Sequence, residues 1–440
     1  MRQTDLADAD ISLTKVGNFR EKLRQLNSML VVVFGFIMPM WVAPANILAG
    51  LILVLWLIQG EYRTDLEKVR HNSFVWAILS FVLMNFVGFL WTSDLSNGWQ
   101  IAGREALLLI IPLFMMVLKK EHVSAATGAF MASMLLSTVL SFLIWFKVAP
   151  DILKLESGDP VPFMGRISYA PYLTIAIYIS VYYLLFASKA TKPIKILASI
   201  AAASMTYILF ISNGRAGQIM FFVMVGIVIF QHQKKHLARA ALITLIVVPS
   251  VAAIAFMSSD RFSGRMKQIV TNIQQLDKDR NKDTPVGARI TFVRNSLEIF
   301  REHPVFGVGT GDFKDEYAKV NRVNSPGMPA TIHPHDMYLL EMVQFGVAGL
   351  ASLLWILYAQ IRIAVRSGDS FQNRFGVALP LMFAIIMFSD CYLLGHYTTM
   401  LFIYFSSILY RESSGPGDMP IKSTGTNQPG GASQRASIAS

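Results

Sequence analysis

Charge is what this 440-residue chain has least of: Asp, Glu, Lys and Arg together make up 15% of it, against about 25% in ordinary soluble domains. So few charges cannot clothe a soluble surface. The single cysteine, Cys391, rules out an internal disulfide, and its apolar surroundings suit a structural thiol better than a reactive one. Acidic residues are also short, 28 against 39 basic ones. In a soluble domain that imbalance would suggest nucleic acid, whereas in membrane proteins basic residues gather in the cytoplasmic loops. The first 27 residues hold no apolar stretch before a small-residue cleavage site, so no cleaved signal peptide is expected. With 53% hydrophobic residues, a collagen-like, disordered or disulfide-rich secreted chain is excluded.

What the chain does have is apolar runs of spanning length, recurring from Ser28 to Tyr410. A helix crosses the hydrocarbon with about 20 apolar residues. On that measure about 12 spans are expected, at 28–43, 44–59, 72–91, 103–118, 122–147, 167–187, 194–212, 215–231, 238–257, 336–360, 374–390 and 392–410. The turn from Pro39 to Pro44 could instead mark a re-entrant hairpin. The fold class is therefore all-α and polytopic, with one large, partly helical loop. Its expected parts are a cytoplasmic segment 1–27, spans 1 to 9 over 28–257, the loop 258–335, spans 10 to 12 over 336–410, and a tail 411–440 whose Gly, Ser and Pro content predicts disorder.

Basic residues set the orientation. Counting the short connections alternately, 22 of the 39 Lys and Arg residues fall on the side of the N-terminus, 5 in the short loops opposite, and the other 12 in the long loop. Both termini are accordingly cytoplasmic and the long loop lies outside. At about 78 residues that loop far exceeds usual connections. Phe262, Met266, Ile269, Ile273 and Leu276 recur at helical spacing in it, and Ala288 to Glu302 predicts a second helix that Pro304 ends. Either stripe could pack on the membrane domain or lie on the bilayer surface.

Four motifs could carry chemistry. Arg215 sits in Ser212-Asn213-Gly214-Arg215-Ala216-Gly217-Gln218, a short polar connection between two spans. An interfacial anchor would explain it. So would an anion site, since the glycines let backbone approach and a helix N-terminus supplies N–H groups. Arg289 opens the second loop helix, with Arg294 and Arg301 behind it on what reads as a solvated face. In His303-Pro304-Val305-Phe306-Gly307-Val308-Gly309-Thr310-Gly311-Asp312-Phe313 the alternating glycines make either a turn with unusual backbone angles or a nest for an anion or sugar. Neither a P-loop nor a Rossmann turn fits, because no Gly-Lys-Ser/Thr follows and no strand precedes.

The fourth is His333-Pro334-His335-Asp336-Met337-Tyr338-Leu339-Leu340-Glu341, where the loop returns to the membrane. Two histidines one residue apart could bind a metal, but no third ligand is evident and nearby arginines oppose a cation. Those arginines also disfavour an imidazolium, and a neutral imidazole is a general base. An interfacial histidine at the cap of the next helix is the plainer alternative. Glu341 could orient a partner or pair with an arginine.

The order of these motifs, closed by Phe345-Gly346-Val347-Ala348-Gly349-Leu350, resembles the bacterial O-antigen ligase and polymerase superfamily over about residues 205 to 355. The resemblance implies a metal-independent, cofactor-free membrane glycosyltransferase of the bacterial inner membrane, with a periplasmic active site. Such an enzyme moves a glycan from undecaprenyl diphosphate to a sugar hydroxyl of lipid A-core. It places the family's arginines at Arg215 and Arg289 and its histidine at His335, although Asp336 stands where the family commonly has asparagine. The expected site has His335, Arg215 and Arg289 as catalytic residues. Arg215, Arg289, Gly309, Gly311, His333 and Asp336 would bind substrate, and no metal is expected. One large outer loop resembles the ligase more than the polymerase. A transporter or flippase is the competing class; it would need polar groups at mid-membrane, for which Asp390 and His396 are the candidates. Expected partners are the donor, the acceptor and membrane lipid, not nucleic acid; oligomeric state is left open.

The topology has a direct test. In a Cys391→Ala background, single cysteines at Lys120 and Lys235 should resist a membrane-impermeant thiol reagent in intact cells, and one at Asn281 should react. The opposite pattern would invert the orientation.

Overall fold

The computed structural model describes residues 3–148, 159–276 and 284–411. Asn281, the tail beyond Arg411 and residues 149–158 lie outside the described residues. Every regular element described is helical: α1 (Gln3–Ile37), α2 (Val42–Gln59), α3 (Tyr62–Val69), α4 (Ser73–Gly88), α5 (Leu95–Glu105), α6 (Ile110–Val117), α7 (Val123–Trp145), α8 (Arg166–Leu185), α9 (Lys192–Ile211), α10 (Arg215–His232), α11 (Leu237–Ser258), α12 (Asp260–Leu276), α13 (Pro285–Glu302), α14 (Phe313–Asn324), α15 (Met337–Arg366), α16 (Ser370–Ile386) and α17 (His396–Leu409).

Among the described residues eight helices are long and apolar enough to cross a membrane, or nine if α3 and α4, bent by 99°, form one span. The chain is an all-helical polytopic membrane protein. Of the twelve expected spans, four fall short of that measure. The segment 28–43 is the end of α1, 72–91 is the 16-residue α4, and 374–390 and 392–410 contain α16 and α17, of 17 and 14 residues. The last two are short because the chain leaves helix between Ile386 and His396. Non-helical backbone at such depth is tolerated where it lines a cavity, and this stretch does.

Polar contacts sort the chain into two ends. At one, Lys119 pairs with Glu21 at 2.6 Å, Arg24 pairs with Glu61, Asn72 donates to the Tyr410 carbonyl at 2.7 Å, and Arg374 donates to the Gln231 carbonyl at 2.9 Å. At the other, Asp159 joins Arg166, Asn213 and Arg261, the 92–94 segment joins Asp312, and His335 joins Asp390. No cited pair mixes the two sets of loops that the alternation of spans separates.

Small residues bring α8 and α10 together. A Cβ at Gly217 would lie 2.2 Å from the Ala170 Cβ, and one at Gly214 2.8 Å from the Arg166 carbonyl. Close approach of this kind is how helices pack without a hydrophobic driving force. These glycines therefore serve helix contact, where the sequence had suggested room for an anion.

The long connection is folded as α12, α13 and α14, the last unforeseen. Its buried face is Phe313, Tyr317 and Asn321, a spacing of four residues. Phe262 on α12 packs edge-on against Phe210 at 5.4 Å, so the start of that stripe packs on protein. The chain after α13 crosses α15 where α15 breaks: Gly346 has φ +64°, and a Cβ there would lie 2.4 Å from the Val305 carbonyl. Val347 N–H donates to the Pro304 carbonyl at 2.9 Å.

Gly346→Ala should combine left-handed strain with a clash and cost at least about 2 kcal/mol. It should lower the thermal midpoint in detergent, while Gly327→Ala, whose Cβ would meet nothing within 4 Å, should not. Equal midpoints would show that the crossing is not rigid.

Candidate active site

At the end of the bundle that carries α12 and α13 lies a cavity of about 900 Å³. Arg166 at the start of α8, Arg215 at the start of α10, Arg265 on α12 and Arg289 on α13 all line it. Two were expected and two, Arg166 and Arg265, were not. Arg215 Nη2 donates to Gln268 Oε1 at 3.5 Å, and the like charges of Arg265, Arg289 and Arg166 act on it. Crowding guanidinium groups costs energy that an anion in the cavity would offset. Much of the rest of the wall is apolar, with Ile219, Phe222, Val248, Ala252, Phe262 and Met266. The shape and chemistry suit an amphiphile with an anionic head.

His335 stands at the edge of this cavity. Its Nδ1 lies 3.3 Å from Asp390 Oδ1, and Asp390 lines the cavity with Ser389 and Tyr392. The backbone around this pair is fixed. Met337 N–H donates to the Met387 carbonyl at 2.8 Å, Tyr338 Oη donates to the Ala384 carbonyl at 2.7 Å, and Asp390 Oδ1 accepts the Cys391 N–H at 2.8 Å. His335 itself has φ +53°, an uncommon conformation that clusters at functional sites. Phe292, three residues beyond Arg289 on the same face of α13, stacks on the imidazole at 5.7 Å. With Nδ1–H donating to Asp390, Nε2 is left as a proton acceptor, the tautomer control seen in acid–histidine pairs.

In the sequence Asp390 stood only as a candidate mid-membrane polar group for a transporter. Its partner is 55 residues away, a separation that periodicity cannot bridge.

His333 lies beside His335, ring centroids 4.3 Å apart. Burial, the charge of His335 and that of Arg104 hold its imidazole below the ordinary histidine value, against the pull of Asp390. That shift favours its neutral form. One ligand atom each from His333, His335 and Asp390 lie within 4.8 Å of one another, so these three could hold a metal ion.

The remaining expected residues are engaged elsewhere. Gly309 and Gly311 have φ +106° and +89°, but their N–H groups donate to the Gln344 carbonyl at 3.0 Å and to Gln344 Oε1 at 2.9 Å. A Cβ at Gly311 would lie 2.4 Å from the Gly98 nitrogen. The alternating glycines are thus the turn with unusual angles, wedged between α5 and α15, and neither lines the cavity. Asp312 secures the turn by accepting from the Ser93 N–H at 2.8 Å and the Asp94 N–H at 2.9 Å. Asp336 caps α15, its Oδ1 accepting the Leu339 N–H at 3.0 Å. Glu341 meets no arginine; it is wholly buried beside Glu105.

A helical membrane domain with an arginine-lined cavity and a histidine–carboxylate pair at its edge defines a class of membrane protein equipped to bind an anionic amphiphile and move a proton. Residues 200–354 match the sequence model of the family described as O-antigen ligase. Over that segment, about a third of its length, the chain is similar to the O-antigen ligase family. It is also similar to an uncharacterized protein of Haemophilus influenzae, 26% identical over 275 residues that cover 60% of this chain and 65% of the relative.

Proposed function

We propose that the protein is an O-antigen ligase: at the periplasmic face of the inner membrane it transfers polysaccharide from undecaprenyl diphosphate to a sugar hydroxyl of lipid A-core. The observation that carries this reading is the convergence of Arg215 and Arg289 on one cavity whose rim holds the His335–Asp390 pair. The diphosphate would sit among the arginines, with Arg166 and Arg265 completing the set. Guanidinium forks bind phosphate oxygens two at a time and neutralise charge as the sugar departs. The apolar wall would take the first part of the polyprenyl chain.

His335 Nε2 would remove the proton from the attacking hydroxyl while Asp390 holds the ring and stabilises the imidazolium that forms. The acceptor oxygen then bonds to the anomeric carbon as the bond to the diphosphate breaks, and the diphosphate leaves with the lipid. No covalent enzyme intermediate is required. The twelve-span topology with both termini cytoplasmic belongs to this proposal, since it places the cavity outside. Asp390 at the rim of the arginine cavity serves the histidine, which weakens the transporter reading it could have supported. A polymerase of the same superfamily is the second reading, and it shares every residue role.

Arg215→Ala, Arg289→Ala and His335→Ala should each remain folded and inserted, because all three side chains lie at the cavity or its rim. Each should abolish or strongly reduce transfer, with His335→Ala losing about 10² to 10⁴ in rate and Arg→Lys rescuing poorly. Cells lacking the protein should accumulate long polysaccharide on the carrier with unsubstituted lipid A-core. Accumulation of single repeat units would identify a polymerase, and glycan trapped on the cytoplasmic face a transporter.

Transfer by the purified protein should survive EDTA. Loss on chelation, restored by one divalent metal, would instead make His333, His335 and Asp390 a metal site.

A further inference from the structure

One buried carboxylate outside the proposed chemistry gathers the cavity's framework. The Asp159 side chain is 1% exposed. Its Oδ1 accepts hydrogen bonds from Arg261 Nη1 at 3.0 Å, the Asn213 N–H at 3.2 Å and Asn213 Nδ2 at 2.7 Å; its Oδ2 accepts from Arg166 Nη1 at 3.1 Å. Asn213 and Arg166 line the cavity, whereas Asp159 and Arg261 do not. Arg261 Nη1 also donates to the Ile211 carbonyl at 3.1 Å, and its guanidinium lies 5.1 Å from the Trp145 ring centroid. The carboxylate therefore joins α8, α12 and the elbow between α9 and α10, with Trp145 of α7 behind. Arg215 follows Asn213 by two residues on that elbow.

We propose that Asp159 is a positioning residue for the anion site: it fixes the α9–α10 elbow that carries Arg215 and holds Arg166 at the cavity wall. The inference rests on the reading of the cavity as the diphosphate site. Two cations balance the buried carboxylate, so its charge is compensated. Without it, Arg166 and Arg261 would each lose a carboxylate partner and the elbow that carries Arg215 would lose an anchor. Displacements of about 1 Å in such a site can cost about 100-fold in rate. Asp159→Asn nearly preserves shape, but it removes the charge and turns an N–H₂ group toward donors.

The test is made on the full chain purified in detergent. Asp159→Asn should raise KM for the lipid-diphosphate donor by about 10- to 100-fold and leave KM for the acceptor unchanged. In an Arg166→Ala background the same substitution should cost much less, because the two residues act as a unit. A variant with a lower thermal midpoint whose folded fraction keeps the wild-type donor KM would show a merely structural role and overturn the proposal. If Asp159→Asn does not fold, Arg261→Gln takes its place, since it disturbs the same carboxylate without touching the cavity, and an unchanged donor KM there is equally fatal. Should the wild type transfer nothing, the ligase reading fails and inorganic pyrophosphate becomes the probe. Binding weakened at least about 10-fold by Asp159→Asn would sustain the positioning role, and equal or absent binding in both proteins would end it.

Discussion

Four guanidinium groups around one cavity repel one another, and much of the architecture at that end of the molecule is what keeps them together. Arg166 and Arg215 begin two helices that small residues at Ala170, Gly214 and Gly217 allow to touch. Asp159 compensates Arg166 from behind. Arg265 and Arg289 come from the folded connection between α11 and α15, held down by aromatic packing of Phe262 and Phe292. A bundle of largely apolar spans tolerates this charge because it sits at one end, where water can reach it.

The His335–Asp390 side of the cavity depends on backbone in places where helices stop. α16 ends early and α17 starts late, and the stretch between them presents Asp390; α15 begins just after His335, whose left-handed conformation aims the ring at that carboxylate. The main-chain bond from Met337 to the Met387 carbonyl ties the two stretches together. The glycine turn at 307–311 and the break at Gly346 lock α15 at its height from the other side. Strain at His335 is thus held by surrounding packing, as strained functional residues require.

Much of this was legible in the sequence, for identifiable reasons. Arg215, Arg289 and His335 stand in compact motifs, and the stripes of α12 and α13 obey helical spacing. Glycines at 309 and 311 misled, because a nest and a tightly packed turn ask for the same residues; only their occupied N–H groups separate the two. Asp336 stands where the resembling family has asparagine, yet either residue caps a helix, so the departure carries no chemistry that the cap does not explain. Arg166, Arg265, Asp159 and the pairing of Asp390 were hidden because they depend on contacts between distant segments. Hydropathy could not see that α16 stops short and α17 starts late, since apolar residues continue on both sides of Asp390, at Met387 and Phe388 and at Leu393 and Leu394.

The central claim is that the arginines take the diphosphate as a leaving group while His335 activates the acceptor. It is tested most directly by analysing both products of a single turnover by purified protein in lipid vesicles. The account predicts that the lipid product is intact polyprenyl diphosphate, with the glycan joined to the acceptor oxygen and none retained on the protein. Release of polyprenyl monophosphate, or a glycan covalently attached to the chain, would contradict it.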